Sequence, residues 1–391
     1  MKNATLSSHT KNSAPLRFNR NELAGAFGDV GTDLPLIVGV ALAAKLDGAS
    51  VLIMFGVMQI LTGLRYRMPM PVQPLKAMAA IVIAQKVNGS VLYGAGLAIG
   101  VVMLFFTLTG LIDKLARWVP KCVVRGIQFG LGLQLATLAV KDYVRADGLV
   151  GYGLALFAFA LTIFLIGNKK YPAALFVIAL GLLYTFIFKW NWATVTQQFG
   201  LGFPSFHAPH WNDIVSGFFL LALPQIPLSL GNSVLATRQI AEDLFPERKL
   251  TVRQISFTYS LMNLLNPFFG GVPTCHGSGG MAGHYAFGGR TGGSVIIYGA
   301  FYLLLGLFFG KGFDTITGVF PLPILGVVLL FEGLALMLLL RDLFASSSEL
   351  PIAVLVGLLA SSLPYGYLIG VIVGIILVYL SQRGRANFVS R

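Results

Sequence analysis

Two short polar segments interrupt long hydrophobic stretches of the chain, and their residue types suit the binding of an anion. The first segment reads Pro71-Val-Gln-Pro-Leu-Lys76, and the second, 202 positions later, reads Pro273-Thr-Cys-His-Gly-Ser-Gly-Gly280. Each runs into small apolar residues, which predicts that a helix begins there, inside the membrane. The start of a helix has about four unpaired N–H groups and roughly half a positive charge. Two such helix starts that face one point would attract an anion.

Side chains in and beside these segments could complete such a site. Lys76 is a costly residue within a membrane span, so it is expected to face a cavity or a partner. Glycines let a ligand approach the backbone, whereas hydroxyl and amide side chains donate hydrogen bonds. The first and eighth predicted spans are also rich in polar residues and would flank the two segments. On these grounds the candidate substrate-binding residues are Gln73, Lys76, Thr274, Gly277, Ser278, Gly279, Thr32, Gln225, Asn232 and Ser233.

Other interpretations of the same residues stay open. The two segments could be kinked packing helices, for which Gly279-x-x-x-Gly283 is typical. Lys76 could extend to the membrane surface, or it could pair with Asp29 or Asp33. If it pairs, the positive charge at the site is too small to balance a dianion, and a co-transported proton or cation would be needed.

Three carboxylates set in apolar sequence are candidates for ion coupling. Asp29 and Asp33 lie four residues apart, on one face of a helix, and could titrate or bind a cation as a pair. Glu332 lies in the apolar stretch 327–340 and is a candidate for proton coupling. A structural hydrogen bond between helices is the alternative for each of them.

Composition places all of these residues in an integral membrane protein. The 391 residues are 56% hydrophobic and 11% charged, and their mean hydropathy is +0.78. Apolar stretches of about 17–25 residues predict membrane helices, and two shorter, interrupted stretches are counted with them. The sequence thus predicts an all-α membrane fold of fourteen transmembrane elements: 22–44, 49–64, 73–86, 90–112, 121–140, 149–167, 171–188, 212–235, 252–269, 276–287, 293–310, 321–340, 350–363 and 365–381.

Positive charge and a repeated motif predict how these elements are arranged. Of the 28 Lys and Arg residues, 21 fall on the side of the N-terminus and six on the other, which predicts cytoplasmic N- and C-termini. The short elements are third in each set of seven, and seven is odd, so the two halves would be inverted repeats with half-helices at elements 3 and 10. Pro120 and Gly132 recur as Pro321 and Gly333, at an offset of 201.

These patterns divide the chain into four predicted parts. They are a cytoplasmic N-terminal segment 1–21, a first inverted repeat 22–200, a second inverted repeat 201–382 and a basic cytoplasmic tail 383–391. The net charge of +13 is scattered between apolar stretches, so it indicates membrane topology rather than a nucleic-acid partner.

Signals for enzyme chemistry are weak. Gly277-Ser-Gly-Gly-Met-Ala282 fits the dinucleotide fingerprint, but no strand is predicted before it and no acidic residue follows about 20 positions later. Cys275 and His276 have no further His or Cys at metal-ligand spacing. We therefore expect neither an enzyme nor a cofactor or metal site.

Taken together, the polar motifs resemble the molybdate transporter family, a branch of the sulfate-permease superfamily. The similarity runs from about Asn21 to Tyr298 and rests on residues 28–35, 69–76 and 271–283. It implies a seven-plus-seven inverted-repeat fold with core and gate domains, and an oxyanion held between the third and tenth elements. It also implies a set of residues that line or support this site: Gln73, Lys76, Thr274, Cys275, His276, Gly277 and Ser278.

The expected function is secondary active transport of a tetrahedral oxyanion, molybdate first and sulfate second, by alternating access in a bacterial inner membrane. A proton or a sodium ion is the candidate co-transported partner, and a homodimer is one candidate assembly. A nucleobase:cation symporter of the same fold is the alternative, although such relatives are expected to carry an acidic residue where this chain has Gln225. An anion channel is the alternative in another class, and it would need a continuous polar path.

Overall fold

Helices account for most of the residues that this computed structural model describes, which are 15–112, 114, 120–165, 173–189, 199–312 and 320–382. Two three-residue strands, β1 (Val72–Pro74) and β2 (Thr274–His276), accompany them. The predicted tail 383–391 and the first fourteen residues of the predicted N-terminal segment lie outside the described residues. The helices are α1 (Arg20–Ala26), α2 (Val30–Ala44), α3 (Gly48–Tyr66), α4 (Lys76–Gln85), α5 (Gly89–Thr109), α6 (Lys121–Tyr143), α7 (Gly148–Leu165), α8 (Ala173–Tyr184), α9 (Trp211–Leu244), α10 (Val252–Leu265), α11 (Ser278–Ala286), α12 (Gly293–Phe309), α13 (Leu322–Leu343), α14 (Glu349–Ser362) and α15 (Gly366–Gln382).

Helices α2 to α15 follow the predicted elements in order, and most boundaries agree to within a few residues. Six of the described helices are long and apolar enough to cross a membrane unaided, and several shorter apolar helices accompany them. Two predicted boundaries differ clearly. The span 22–44 is divided into α1 and α2, and α9 continues nine residues past the predicted 235. Hydropathy marks the apolar part of a helix, so it does not register the polar turns of α9 that follow.

The two strands correct the prediction of a purely helical chain with no strand before Gly277. They pair in antiparallel register, with Val72 opposite His276, Gln73 opposite Cys275 and Pro74 opposite Thr274. Prolines keep this backbone out of a helix, and within a membrane its polar groups still need partners. The two interrupted segments provide these partners for each other.

The helices pack as two groups. In the first group α3 packs along α12, and α5 packs against α9 and α10. In the second group α6 packs against α13 and α14, α7 lies against α8 and α13, and α14 packs on α15. Contacts between the groups run through α4 with α6, through α2 with α8 and α13, and through α9 with α6 and α15. This division supports the core and gate domains that the resemblance implies.

Two pairs of equivalent positions from the proposed repeats meet directly. A Cβ at Gly132 would lie 2.4 Å from the carbonyl oxygen of Gly333, and a Cβ at Gly333 would lie 2.6 Å from that of Gly132. Gln73 and Cys275, 202 positions apart, are direct partners in the strand ladder. Reciprocal contacts of this kind are expected where a two-fold axis passes between two related halves. They support, at the level of single residues, the proposal of inverted repeats.

Candidate functional site

Each strand is held by an amide side chain from the helix before it. Gln59 of α3 accepts a hydrogen bond from Val72 N at 3.0 Å and donates one to Val72 O at 2.8 Å. Asn263 of α10 does the same for Thr274, accepting from its N at 2.9 Å and donating to its O at 2.6 Å. Val72 and Thr274 are 202 positions apart, so these two amide clamps occupy equivalent places in the two halves. The clamps fix the points from which α4 and α11 begin.

The start of α4 is partly closed by a side chain from α9. The Oε1 atom of Gln225 accepts hydrogen bonds from Ala77 N at 2.9 Å and Met78 N at 3.2 Å. Its Nε2 atom donates to Ser229 Oγ at 3.1 Å, which fixes the orientation of the amide. The expectation that both helix starts offer free N–H groups therefore needs correction for α4. Gln225 is a helix cap here, because a buried N–H without an acceptor is costly.

The start of α11 is open. No side chain caps this helix at Gly277, and the N–H groups of Ser278 and Gly279 have no acceptor among the described residues. A Cβ built on Gly279 would meet nothing within 4 Å, and Gly279 itself is exposed. Ser278 is half-buried. The chain thus presents unpaired backbone donors at the positive end of a helix dipole, next to open space.

Two other glycines of this segment are required by close packing. A Cβ at Gly277 would lie 1.7 Å from Oε1 of Gln73, and one at Gly280 would lie 2.1 Å from Oδ2 of Asp29. Gln73 and Asp29 are also joined, since Gln73 Nε2 donates to the two carboxylate oxygens at 2.8 and 2.7 Å. Asp29 therefore sits against the first turn of α11, and its charge would compete with that of a bound anion.

Lys76 is the first residue of α4 and is half-buried. No carboxylate oxygen of the described residues lies within 4.0 Å of its ammonium nitrogen. It nevertheless lies within electrostatic range of Glu332, Asp29 and Asp33. Lys76 is thus close to three carboxyl groups without being tied to one, which leaves its hydrogen-bond donors free for a ligand.

The coupling candidates occupy different surroundings. Asp33 is fully buried, and neither of its carboxyl oxygens has a hydrogen-bond partner among the described residues. The hydroxyls of Tyr298 and Tyr302, which lie 3.1 Å apart on α12, are within its electrostatic range. Glu332 is half-buried on α13, in the second group of helices. The carboxyls near Lys76 therefore come from both groups.

His276 and Thr274, two residues that the resemblance implies at the site, form hydrogen bonds to other groups of the protein. The Nε2 atom of His276 lies 2.7 Å from Thr258 Oγ1, and its Nδ1 atom lies 3.3 Å from Pro71 O. Thr274 has its backbone clamped by Asn263, and its hydroxyl accepts from Asn266 Nδ2 at 3.1 Å. Both side chains are fully buried. These contacts favour a supporting role at the strand ladder for His276 and Thr274 over direct contact with the substrate.

The remaining predicted residues lie around the ladder. Cys275 is a buried free thiol opposite Gln73, and the segment Ser229–Ala236 that holds Ser233 packs against its strand. Asn232 is half-buried, and its backbone oxygen accepts from Thr237 Oγ1 at 3.3 Å. Thr32 lies within α2, but its side chain is outside what the structure describes.

The sequence did not identify the residues whose side chains bind the two strands and support the cap of α4. Gln59, Thr258 and Asn263 are polar residues inside predicted membrane elements, which was an available signal, but nothing in one sequence says which backbone each one binds. Tyr259 is a further case, because its hydroxyl lies 2.8 Å from Ser229 Oγ and so supports the cap formed by Gln225.

Comparisons with known proteins identify relatives of this chain. The model of a family described as "Molybdate transporter of MFS superfamily" matches residues 21–135 and 217–336. "Molybdate transporter 2" of Arabidopsis thaliana is 34% identical, with 91% of this chain and 87% of that protein covered. "Molybdate transporter 1" of the same plant is 32% identical, with 94% and 90% covered.

Among solved structures, the fold resembles the transmembrane domain of the cyanobacterial bicarbonate transporter BicA. The TM-score is 0.66 at 17% sequence identity, and the match covers 93% of this chain and 98% of that one. At this identity the similarity concerns the fold alone. It shows that the described helices share the fold of that transmembrane domain.

Proposed function

Because the chain belongs to the molybdate transporter family, we propose that it is a secondary transporter of a tetrahedral oxyanion, molybdate first and sulfate second. One observation carries the proposal. The open start of α11 and the unpaired Lys76 both extend from the same clamped pair of strands. Backbone N–H groups and an ammonium group are donors only, and a tetrahedral oxyanion presents acceptors only. A nucleobase needs both kinds of partner.

Charge around the site favours a coupled ion. The start of α11 contributes roughly half a positive charge and Lys76 contributes one. Against them stand the carboxyl groups of Asp29, Asp33 and Glu332, all within electrostatic range of Lys76. A dianion that enters while these carboxyls are ionised would meet net negative charge. Binding of the dianion and binding of protons therefore favour each other, by linkage.

We assign the coupling step to protons and place Asp33 at its centre. The hydroxyls of Tyr298 and Tyr302 are the polar groups of α12 within its range, and Asp29 lies one helical turn away. A sodium site would need several oxygen ligands arranged around the ion. A proton needs only one carboxyl, and Asp33 with its neighbour Asp29 provides such a group.

Alternating access would move one group of helices past the other. The ladder, its two clamps and the starts of α4 and α11 belong to the first group, whereas Glu332 belongs to the second. A relative movement therefore changes the distance between Glu332 and Lys76 while the amide clamps stay intact. Cytoplasmic termini, a bacterial inner membrane and a homodimer remain part of the same proposal.

Uptake into proteoliposomes tests the proposal. Purified protein is reconstituted, and uptake of labelled molybdate and sulfate is measured with an inward proton gradient, with a sodium gradient and with neither. We expect saturable uptake of molybdate, counterflow, and stimulation by the proton gradient. Folded protein that transports neither oxyanion would overturn the substrate, whereas stimulation by sodium alone would overturn only the coupling ion. Single-channel currents would favour the channel alternative.

A further inference from the structure

A basic cavity lies where α9 ends and α10 begins. It has a volume of about 600 Å³ and is lined by Arg238, Glu242, Arg248, Lys249, Thr251 and Arg253, among others. This connection is on the side that the charge distribution predicts to be cytoplasmic. The oxyanion site described above does not use any of these residues.

Three of the four cations in the cavity lack an acidic partner. Glu242 is engaged with Arg238, whose guanidinium donates to Oε1 at 2.9 and 2.7 Å. Arg248, Lys249 and Arg253 form no ion pair with any residue in the described ranges. The start of α10 is no competing anion site, because Thr251 and Gln254 form a capping box there. The cavity therefore presents concentrated positive charge from side chains alone.

An apolar stripe continues from this cavity along α10. Phe257, Leu261 and Leu265 follow Arg253 at intervals of four, so all four residues lie on one face of the helix. The three apolar side chains are 42%, 39% and 46% exposed. Residues 252–269 are predicted to be a membrane element, and an exposed apolar face on such an element contacts acyl chains. Arg253 stands at the polar end of that face, where a phospholipid headgroup would lie.

We propose that this cavity binds the headgroup of an anionic phospholipid, with an acyl chain along Phe257, Leu261 and Leu265. The phosphate accepts hydrogen bonds from Arg248, Lys249 and Arg253. Because the cavity joins α9, which carries Gln225, to α10, which carries Asn263, a bound lipid would tie together the two helices that support the strand ladder. Lipid binding would then raise the stability of the whole first group of helices.

Lipid retention and thermal stability test the inference independently of transport. The wild type and the variant Arg248→Gln, Lys249→Gln, Arg253→Gln are purified in detergent, and phosphatidylglycerol or phosphatidylcholine is added. Native mass spectrometry counts bound lipid, and the Tm is measured by scanning fluorimetry. The control variant carries Lys45→Gln, Lys86→Gln and Lys141→Gln, three cations predicted on the opposite side. We expect phosphatidylglycerol binding to fall on the order of 10- to 100-fold in the first variant only.

Separate arms distinguish a lipid from other anions. Glycerol 3-phosphate and inorganic phosphate are titrated against the wild type, and Phe257→Ser, Leu261→Ser is compared with it for retention of phosphatidylglycerol. Weaker retention in this variant, and no gain in Tm from the soluble phosphates, support a lipid. Equal binding of phosphatidylglycerol and phosphatidylcholine by the wild type, or unchanged binding in the triple cavity variant, would overturn the proposal. A gain in Tm from the soluble phosphates alone would reassign the cavity to a soluble anion.

Discussion

Lys76 and the glycine-rich residues 277–280 contribute different chemical groups to the proposed site. Lys76 contributes a side-chain charge, whereas the second segment contributes backbone donors at Ser278 and Gly279. The two remaining glycines, Gly277 and Gly280, are small because Gln73 and Asp29 occupy the space beside them. One glycine-rich run thus contains both open positions and tightly packed ones.

Neutralising Lys76 tests its charge. We expect Lys76→Gln to lower the apparent affinity for molybdate by about tenfold or more, because an unpaired, half-buried ammonium group interacts strongly with a dianion. Uptake by proteoliposomes at a series of molybdate concentrations gives this affinity. Lys86→Gln, at the exposed far end of α4, is the matched control and should behave like the wild type. Equal affinity in both variants would exclude Lys76 from the site.

The glycines give a second prediction. Gly277→Ala and Gly280→Ala place a methyl group 1.7 and 2.1 Å from existing side-chain atoms, so we expect a loss of stability of at least about 1–3 kcal/mol. Gly279→Ala places its methyl group in open space and is the control for folding. Thermal unfolding in detergent measures the difference. Equal Tm values for all three variants would mean that the packing around Gln73 and Asp29 is looser than described.

Paired unwound segments are the central feature at the scale of elements. Sequence reasoning placed both interruptions and the helices after them, because prolines and glycines mark where a membrane helix stops. It did not predict that the two segments pair as strands, since their partners are about 200 residues apart. It also assigned Gln225 to the substrate, whereas the Gln225 amide caps α4. Which polar group finds which backbone depends on helix packing that a single sequence does not encode.

Removing an amide clamp tests the strand ladder. Gln59→Ala or Asn263→Ala leaves one buried backbone N–H and one C=O without a partner, at about 1–3 kcal/mol for each group. We expect a marked fall in Tm for each variant and a further fall for the double variant. Gln239→Ala, which removes a surface hydrogen bond to Asp243, is the control. A clamp variant as stable as this control would show that the ladder holds without the amide side chains.

In the whole molecule, Lys76 lies near the boundary between the two groups of helices. Asp29 and Asp33 approach Lys76 from the first group and Glu332 approaches from the second. The order of the helices and the class of protein were predictable, because hydropathy and charge distribution reflect the membrane directly. The sequence did not predict that three carboxyl groups lie within electrostatic range of Lys76, because their positions depend on how the two groups of helices pack.

The charge balance predicts pH-dependent uptake. We expect molybdate uptake to rise as the external pH falls, because protonation of acidic groups near the site removes repulsion of the dianion. In Asp33→Asn the side chain is permanently neutral, so we expect the dependence on the proton gradient to weaken while molybdate exchange persists. Asp342→Asn, far along α13, is the control. If the proton gradient stimulates uptake by Asp33→Asn as much as by the wild type, Asp33 is not the coupling group, and Asp29 and Glu332 become the candidates.

The direct pairing of Gln73 with Cys275 also bears on how different the two segments can be. At the same offset of 202 positions, Lys76 corresponds to Ser278. Two identical half-length chains assembled about such an axis would carry the same residue at both positions, and so two lysines or none. One chain that contains both segments can carry a lysine on one side and a serine with open amides on the other. The two segments can therefore contribute different groups to the proposed oxyanion site.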